Sequence, residues 1–152
     1  MNSQINEIKD KYRNKTIGFT CGCFDLLHYG HLLMLKDAKD HFDILVIGLQ
    51  TDPTIDRPNK NRPIQSLEER LFMLQSLKYI DEIIIYTTED DLYNLLQNLR
   101  PDGRILGTDY LNKSFTGDDL NIPIYWHNRN HTYSSTDLRK RVYLGEKSKI
   151  AD

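Results

Sequence analysis

Residues 42–49 form an apolar run of strand length, interrupted only by Asp43: Ile44, Leu45, Val46, Ile47, Gly48 and Leu49 follow without a polar residue. A strand with one wet face alternates apolar and polar side chains. A strand without that alternation is typical of a parallel sheet buried on both faces. Such a sheet needs helical crossovers, and the rest of the chain supplies them.

Residues 16–20 read as a short strand and residues 28–40 as a helix with Leu32, Leu35 and Ala38 on one face. Residues 50–64 are a polar loop. Ser66 followed by Glu69 is a capping-box pattern, and it opens a helix to about residue 78 with Leu67, Leu71, Leu74 and Leu77 as its stripe. Residues 82–86 are a third strand. Residues 89–99 are a helix closed by Arg100-Pro101. Residues 104–107 and 122–126 are two more strands, and a last helix starts near Ser135 with Leu138 and Val142 on its apolar side. The expectation is a single Rossmann-like α/β domain, a five-stranded parallel sheet flanked by helices. Its body spans residues 16–145. A polar leader precedes it over residues 1–15, where Ile5, Ile8 and Tyr12 keep helical spacing, and a tail follows over 146–152.

The bulk numbers narrow the function classes. A chain of 152 residues holds one real core. A net charge of −2 argues against a duplex-binding surface, so no nucleic-acid partner is expected. No apolar run approaches the length of a membrane span, and no membrane partner is expected. The polar start Met1-Asn2-Ser3-Gln4 has no signal-peptide core, and Cys21 and Cys23 are read as reduced packing or loop residues. A cytoplasmic location is the expectation.

Two segments carry the candidate chemistry. The first is Gly22-Cys23-Phe24-Asp25-Leu26-Leu27-His28-Tyr29-Gly30-His31, where the first strand gives way to a helix. A helix N-terminus offers free N–H groups to phosphate, and two imidazoles one turn apart add donors. A histidine pair is also half of a metal site, but no third ligand sits at a familiar spacing. The second is Arg129-Asn130-His131-Thr132-Tyr133-Ser134-Ser135-Thr136-Asp137-Leu138-Arg139. Hydroxyl residues there cap the last helix in the plain structural reading. The same hydroxyls and N–H groups suit a triphosphate, with forked charge from Arg129 and Arg139. There is no GxGxxG and no GxxxxGK[ST], which excludes the usual dinucleotide fingerprint and a P-loop.

Together these segments resemble the two motifs of the cytidylyltransferase-like nucleotidyltransferases, over residues 16–142. The resemblance implies in-line attack by a substrate phosphate oxygen on the α-phosphorus of a nucleoside triphosphate, with pyrophosphate leaving. It implies catalytic roles for His28, His31 and Arg129. Nucleotide contacts are implied for Cys21, Gly22, Cys23, Phe24, Gly30, Lys60, Asp109, Tyr133, Ser134, Ser135, Thr136 and Arg139. Substrate contacts are implied for Asp25, Asp52, Arg70 and Lys78, with Arg62 in the basic loop beside Lys60. Mg²⁺ is expected as cofactor, carried mainly by the triphosphate and with no dedicated metal residues in the chain. A homodimer is implied too.

The first segment is similar to that of glycerol-3-phosphate and ethanolamine-phosphate cytidylyltransferases. CTP and a small phosphomonoester, glycerol 3-phosphate first, are therefore the expected partners, giving CDP-glycerol. The second segment departs from that branch, with Asn130, His131 and Thr132 where it has Thr, Glu and Gly. Its Ser134-to-Arg139 run is similar to that of adenylyltransferases, so ATP with a sugar phosphate is the rival expectation. The chain is too short for a class I aminoacyl-tRNA synthetase. A non-catalytic nucleotide-binding module is the reading from another class.

Overall fold

The computed structural model describes residues 1–151, the side chain of Ala151 excepted; the last residue of the expected tail, Asp152, lies outside them. Five parallel strands form one sheet: β1 (Ile17–Gly22), β2 (Ile44–Gln50), β3 (Glu82–Tyr86), β4 (Gly103–Gly107) and β5 (Ile124–His127). Their order is β3-β2-β1-β4-β5. Helices α2 (Tyr29–His41), α3 (Leu67–Gln75) and α4 (Glu89–Leu99) make the crossovers, with α1 (Asn2–Lys11) before the sheet and α5 (Ser135–Ala151) after it. The expected α/β architecture is what the chain adopts.

The register explains the continuous run in β2. Every residue of that strand is buried. Val46 faces one core cluster with Phe19, Ile84 and the leucines of α4, while Leu45, Ile47 and Leu49 face the other with Leu35, Ala38 and Leu74. Alternate residues of one strand thus serve two apolar layers. The serine cap opens α3 as its spacing predicts, Ser66 and Glu69 each bonding the other's backbone N–H.

Several boundaries differ from those read in the sequence. β1 runs on through Cys21 and Gly22, which pair with Gly48 and Leu49. The first segment, read as a leader, holds α1, whose Ile5 and Ile8 are buried in the core beside α4. Val142 does not join a buried stripe: it is 57% exposed, and residues 140–150 of α5 are all exposed. Among the described residues neither core cluster includes a side chain of α5.

After β3 the chain crosses back to place β4 on the far side of β1. That reversal opens a crevice beyond the carboxyl ends of β1 and β4, where sheets of this kind hold ligands.

Candidate active site

A cavity of about 620 Å³ occupies the crevice. It is lined by Cys21, Gly22, Cys23, His28, Gly30, His31, Lys60, Asp109, Arg129, Tyr133, Ser134 and Ser135 among the residues read from the sequence. The loop into it is tightly held. Phe24 and Leu26 adopt left-handed backbone at φ 51° and 50°, unusual for such residues. Between them Asp25, 5% exposed, accepts N–H bonds from Ile64 and Gln65 at 2.9 Å each and pairs with Arg139 at 2.7 Å.

The two histidines cap their own helix. His28 Nδ1 accepts the N–H of Gly30 at 3.1 Å, and His31 Nδ1 accepts the N–H of His28 at 3.2 Å. The rings stack with centroids 3.9 Å apart. A ring nitrogen that accepts an N–H carries no proton, so each neutral imidazole bears its hydrogen on Nε2. His28 Nε2 lies 3.3 Å from Ser135 Oγ, at the start of α5. Burial, then the charges of its neighbours, pushes His31 down to about 3, and burial with Arg129 lowers His28. Both rings are therefore neutral Nε2–H donors at pH 7. Gly30 lets the α5 side come close: a Cβ there meets Tyr133 Cβ at 2.9 Å.

Arg129 ties the second motif to the end of β4. Its guanidinium bonds Asp109 at 3.1 Å and the Tyr133 carbonyl at 3.0 Å. Four cationic side chains, Arg57, Lys60, Arg104 and Arg129, line the cavity with the carboxylates Glu89 and Asp109. That excess of positive charge suits phosphate.

Other residues read as ligand contacts do not line the cavity. Arg70 is 2% exposed, and its guanidinium is used up on the carbonyls of Cys23, Gln50, Thr51 and Gln65. Asp52 caps the short turn at Pro53–Ile55 by accepting from Thr54. Arg62 lies 3.7 Å from that carboxylate with its side chain 84% exposed. Lys78 sits over the Tyr79 ring at 5.4 Å. Phe24 is buried against the His31 ring. Thr136 is exposed on α5. Asp25 and Arg139 bind each other beneath the loop. For Asp25, Asp52, Arg70 and Arg139 a local or interior partner already takes the polar group.

The sequence reading missed Arg57, Glu89, Arg104, Thr116 and His127, all of which line the cavity. His127 ends β5, 7% exposed, and its Nδ1 bonds the Asp37 carboxylate at 2.7 Å. Only the position of β5 beside β4 gives it away.

Fold and cavity together define a Rossmann-like α/β protein with a cationic crevice at the N-terminus of α2. The profile of the cytidylyltransferase-like family matches residues 19–141, and the chain belongs to that family. It is 38% identical over 133 residues to the bifunctional protein HldE of Helicobacter pylori strain HPAG1, and 46% identical over 118 residues to that of strain J99. Those matches cover 87% and 77% of this chain but 28% and 25% of the relatives, so the chain spans about a quarter of their length. A lipopolysaccharide core biosynthesis protein from Thermoplasma volcanium superposes with a TM-score of 0.61 at 27% identity, over 80% of this chain and all of that one. A pantoate-β-alanine ligase from Francisella tularensis shares the fold, with a TM-score of 0.60 at 20% identity over 91% of this chain and 73% of that one. No helix among the described residues is long and apolar enough to cross a membrane.

Proposed function

We propose that this chain transfers a nucleoside monophosphate from ATP to a sugar phosphate, releasing pyrophosphate. The observation that carries nucleotidyl transfer is the pair of neutral Nε2–H donors, His28 and His31, at the α2 N-terminus inside a cationic cavity. An acceptor phosphate oxygen forms a bond to the α-phosphorus as the bond to the β-phosphate oxygen breaks. Both imidazoles donate to α-phosphate oxygens as charge builds there, with Arg129 adjacent. Catalysis is then positioning plus charge stabilisation, with no covalent intermediate on the protein.

Three features support ATP and a sugar phosphate. The Ser134-to-Arg139 run is of the adenylyltransferase kind. Asn130, His131 and Thr132 depart from the glycerol-phosphate branch. A solved relative at 27% identity is a lipopolysaccharide core biosynthesis protein. The second reading, CMP transfer from CTP to glycerol 3-phosphate, is favoured by the Gly22-to-His31 segment.

The cavity carboxylates Glu89 and Asp109 are each engaged by an arginine. That donor set fits a magnesium ion carried on the triphosphate better than one held by the protein. When bound it supplies further neutralisation of the phosphate oxygens. A homodimer belongs to the proposal, and light scattering checks it.

The test is pyrophosphate release, with Mg²⁺, from ATP and from CTP, each paired with sugar 1-phosphates, glycerol 3-phosphate and phosphoethanolamine. Release from ATP with a sugar phosphate is expected. Release only from CTP with glycerol 3-phosphate establishes the second reading instead. Nucleotide binding without turnover of any acceptor overturns both.

A further inference from the structure

The cavity extends over the sheet face covered by α4, away from the two motifs. Arg104 pairs in register with Phe19 and shares that face, and Cys21, two residues further along β1, packs against the same cluster. Arg104 is 3% exposed. One of its terminal nitrogens donates to the Thr116 carbonyl, and its guanidinium stacks 5.2 Å from the Phe115 ring. Among the described residues no carboxylate oxygen comes within 4.0 Å of it. A guanidinium taken out of water with no anion beside it is costly, and a residue placed so at a cavity wall calls for an anion from outside.

Arg57 reaches the same corner from the loop after β2, paired but not saturated. One arm bonds Gln50 Oε1 at 3.0 Å and pairs with Glu89 at 2.9 Å. Its Nε is buried and has no hydrogen-bond partner among the described residues. Its carboxylate partner is already spent: Glu89 holds Arg57 with one oxygen and accepts the Thr116 hydroxyl with the other. Thr116 thus links the two arginines, through its hydroxyl to Glu89 and through its carbonyl to Arg104. The corner sets two guanidinium groups against Glu89, with the neutral polar groups of Gln50 and Thr116 beside them and Asp56 bonded to the backbone N–H of Glu89 at 2.7 Å.

We propose that Arg104 and Arg57 hold the phosphate of the acceptor. We assign the acceptor to hydroxyl-rich phosphates, such as sugar phosphates, rather than amino-alcohol phosphates. A phosphate fits the unpaired guanidinium edges bidentately. An ammonium meets two arginines, and the carboxylates Glu89 and Asp56 already accept hydrogen bonds from the protein. The proposal rests on the nucleotidyl-transfer reading and says where the acceptor lies relative to His28 and His31.

The experiment titrates inorganic phosphate into the full chain by calorimetry, with the nucleotide half filled by α,β-methylene-ATP. Arg104→Met and Arg57→Leu are each expected to weaken phosphate at least tenfold. Arg104→Lys should fall between Arg104→Met and the native chain. The affinity for α,β-methylene-ATP should stay within twofold in all three. In the native chain, glucose 1-phosphate should bind at least tenfold tighter than phosphoethanolamine. Arg104 is buried, so each variant is first melted; if Arg104→Met does not fold, Arg57→Leu and Arg104→Lys carry the test. Phosphate binding unchanged in the folded variants, or absent from the native chain, overturns the site. Equal binding of the two phosphomonoesters overturns the acceptor class. If the nucleotide analogue fails to bind, the nucleotidyl-transfer reading falls, while the phosphate titration still decides for or against Arg104.

Discussion

His28 and His31 together close the N-terminus of α2: His31 Nδ1 takes the backbone N–H of His28, while His28 Nδ1 takes that of Gly30. Capping and the proposed catalytic role are thereby coupled, since the bonds that satisfy the helix also select the tautomer that faces the cavity. Nitrogen-15 spectra of the imidazoles should show both rings with the proton on Nε2 at pH 7. A Nδ1–H tautomer in either ring would sink this account.

The two duties separate by substitution. Asparagine is a good N-cap but puts no donor where Nε2 sits. His28→Asn should cost no more than about 1 kcal/mol in stability. Turnover should nonetheless fall about a hundredfold or more, the scale of losing one donor to a developing oxyanion. His31→Ala should lose turnover on the same scale. Near-native turnover in either variant argues against the proposed role.

Burial holds the folded-state pKa of His31 near 3, against 6.5 for a free imidazole. In the window between those values the unfolded chain binds the extra proton and the folded chain does not. Stability is thus complete above about pH 6.5 and declines as pH falls toward 3. Urea unfolding at steps from pH 7 to pH 4 should show that decline. His31→Gln, which does not titrate there, should flatten it. A slope identical in the two proteins would mean another group is responsible.

The Asp25–Arg139 pair joins the loop before α2 to α5, behind the cavity wall. Asp25 is almost fully buried and also accepts two backbone N–H groups. Asp25→Ala strands those donors and a guanidinium, and should destabilise the protein by about 3–5 kcal/mol. Arg139→Ala should lose less, because the carboxylate keeps its N–H partners. The double variant should be less destabilised than the sum of the singles, because they share one interaction. Simple additivity in chemical denaturation would show that the pair is not coupled.

What could be read in advance was what repeats locally. The apolar run in β2, the Ser66 box and the alternation of strands and helices are each visible within a dozen residues, because propensity, capping and burial act over that range. His28, His31, Arg129 and the Ser134–Ser135 pair were legible for the same reason: each lies at a strand-to-helix junction. Arg104 and Arg57 were not, because nothing in their neighbourhoods marks them. Arg104 looks like one charged residue opening a strand, and only the placement of β4 beside β1 brings it to the cavity. Val142 fails in the opposite sense. Its helical spacing is right, but spacing does not say whether the core reaches the helix.

Arg70 poses the sharpest contrast between resemblance and geometry. The likeness to known nucleotidyltransferases puts it on the substrate. In the fold its guanidinium bonds four carbonyls, from the end of β1, the end and exit of β2, and the entry to α3. A lysine has three donors at one point and lacks the planar fork that spans these groups. Arg70→Lys should therefore leave carbonyls unpaired in the interior, at roughly 1–3 kcal/mol for each one lost. The melting temperature should drop clearly, while the KM values of the folded fraction for nucleotide and acceptor stay within about threefold, well short of the roughly tenfold that a lost 1.4 kcal/mol contact gives. An unchanged melting temperature with an acceptor KM raised tenfold or more would return Arg70 to the substrate.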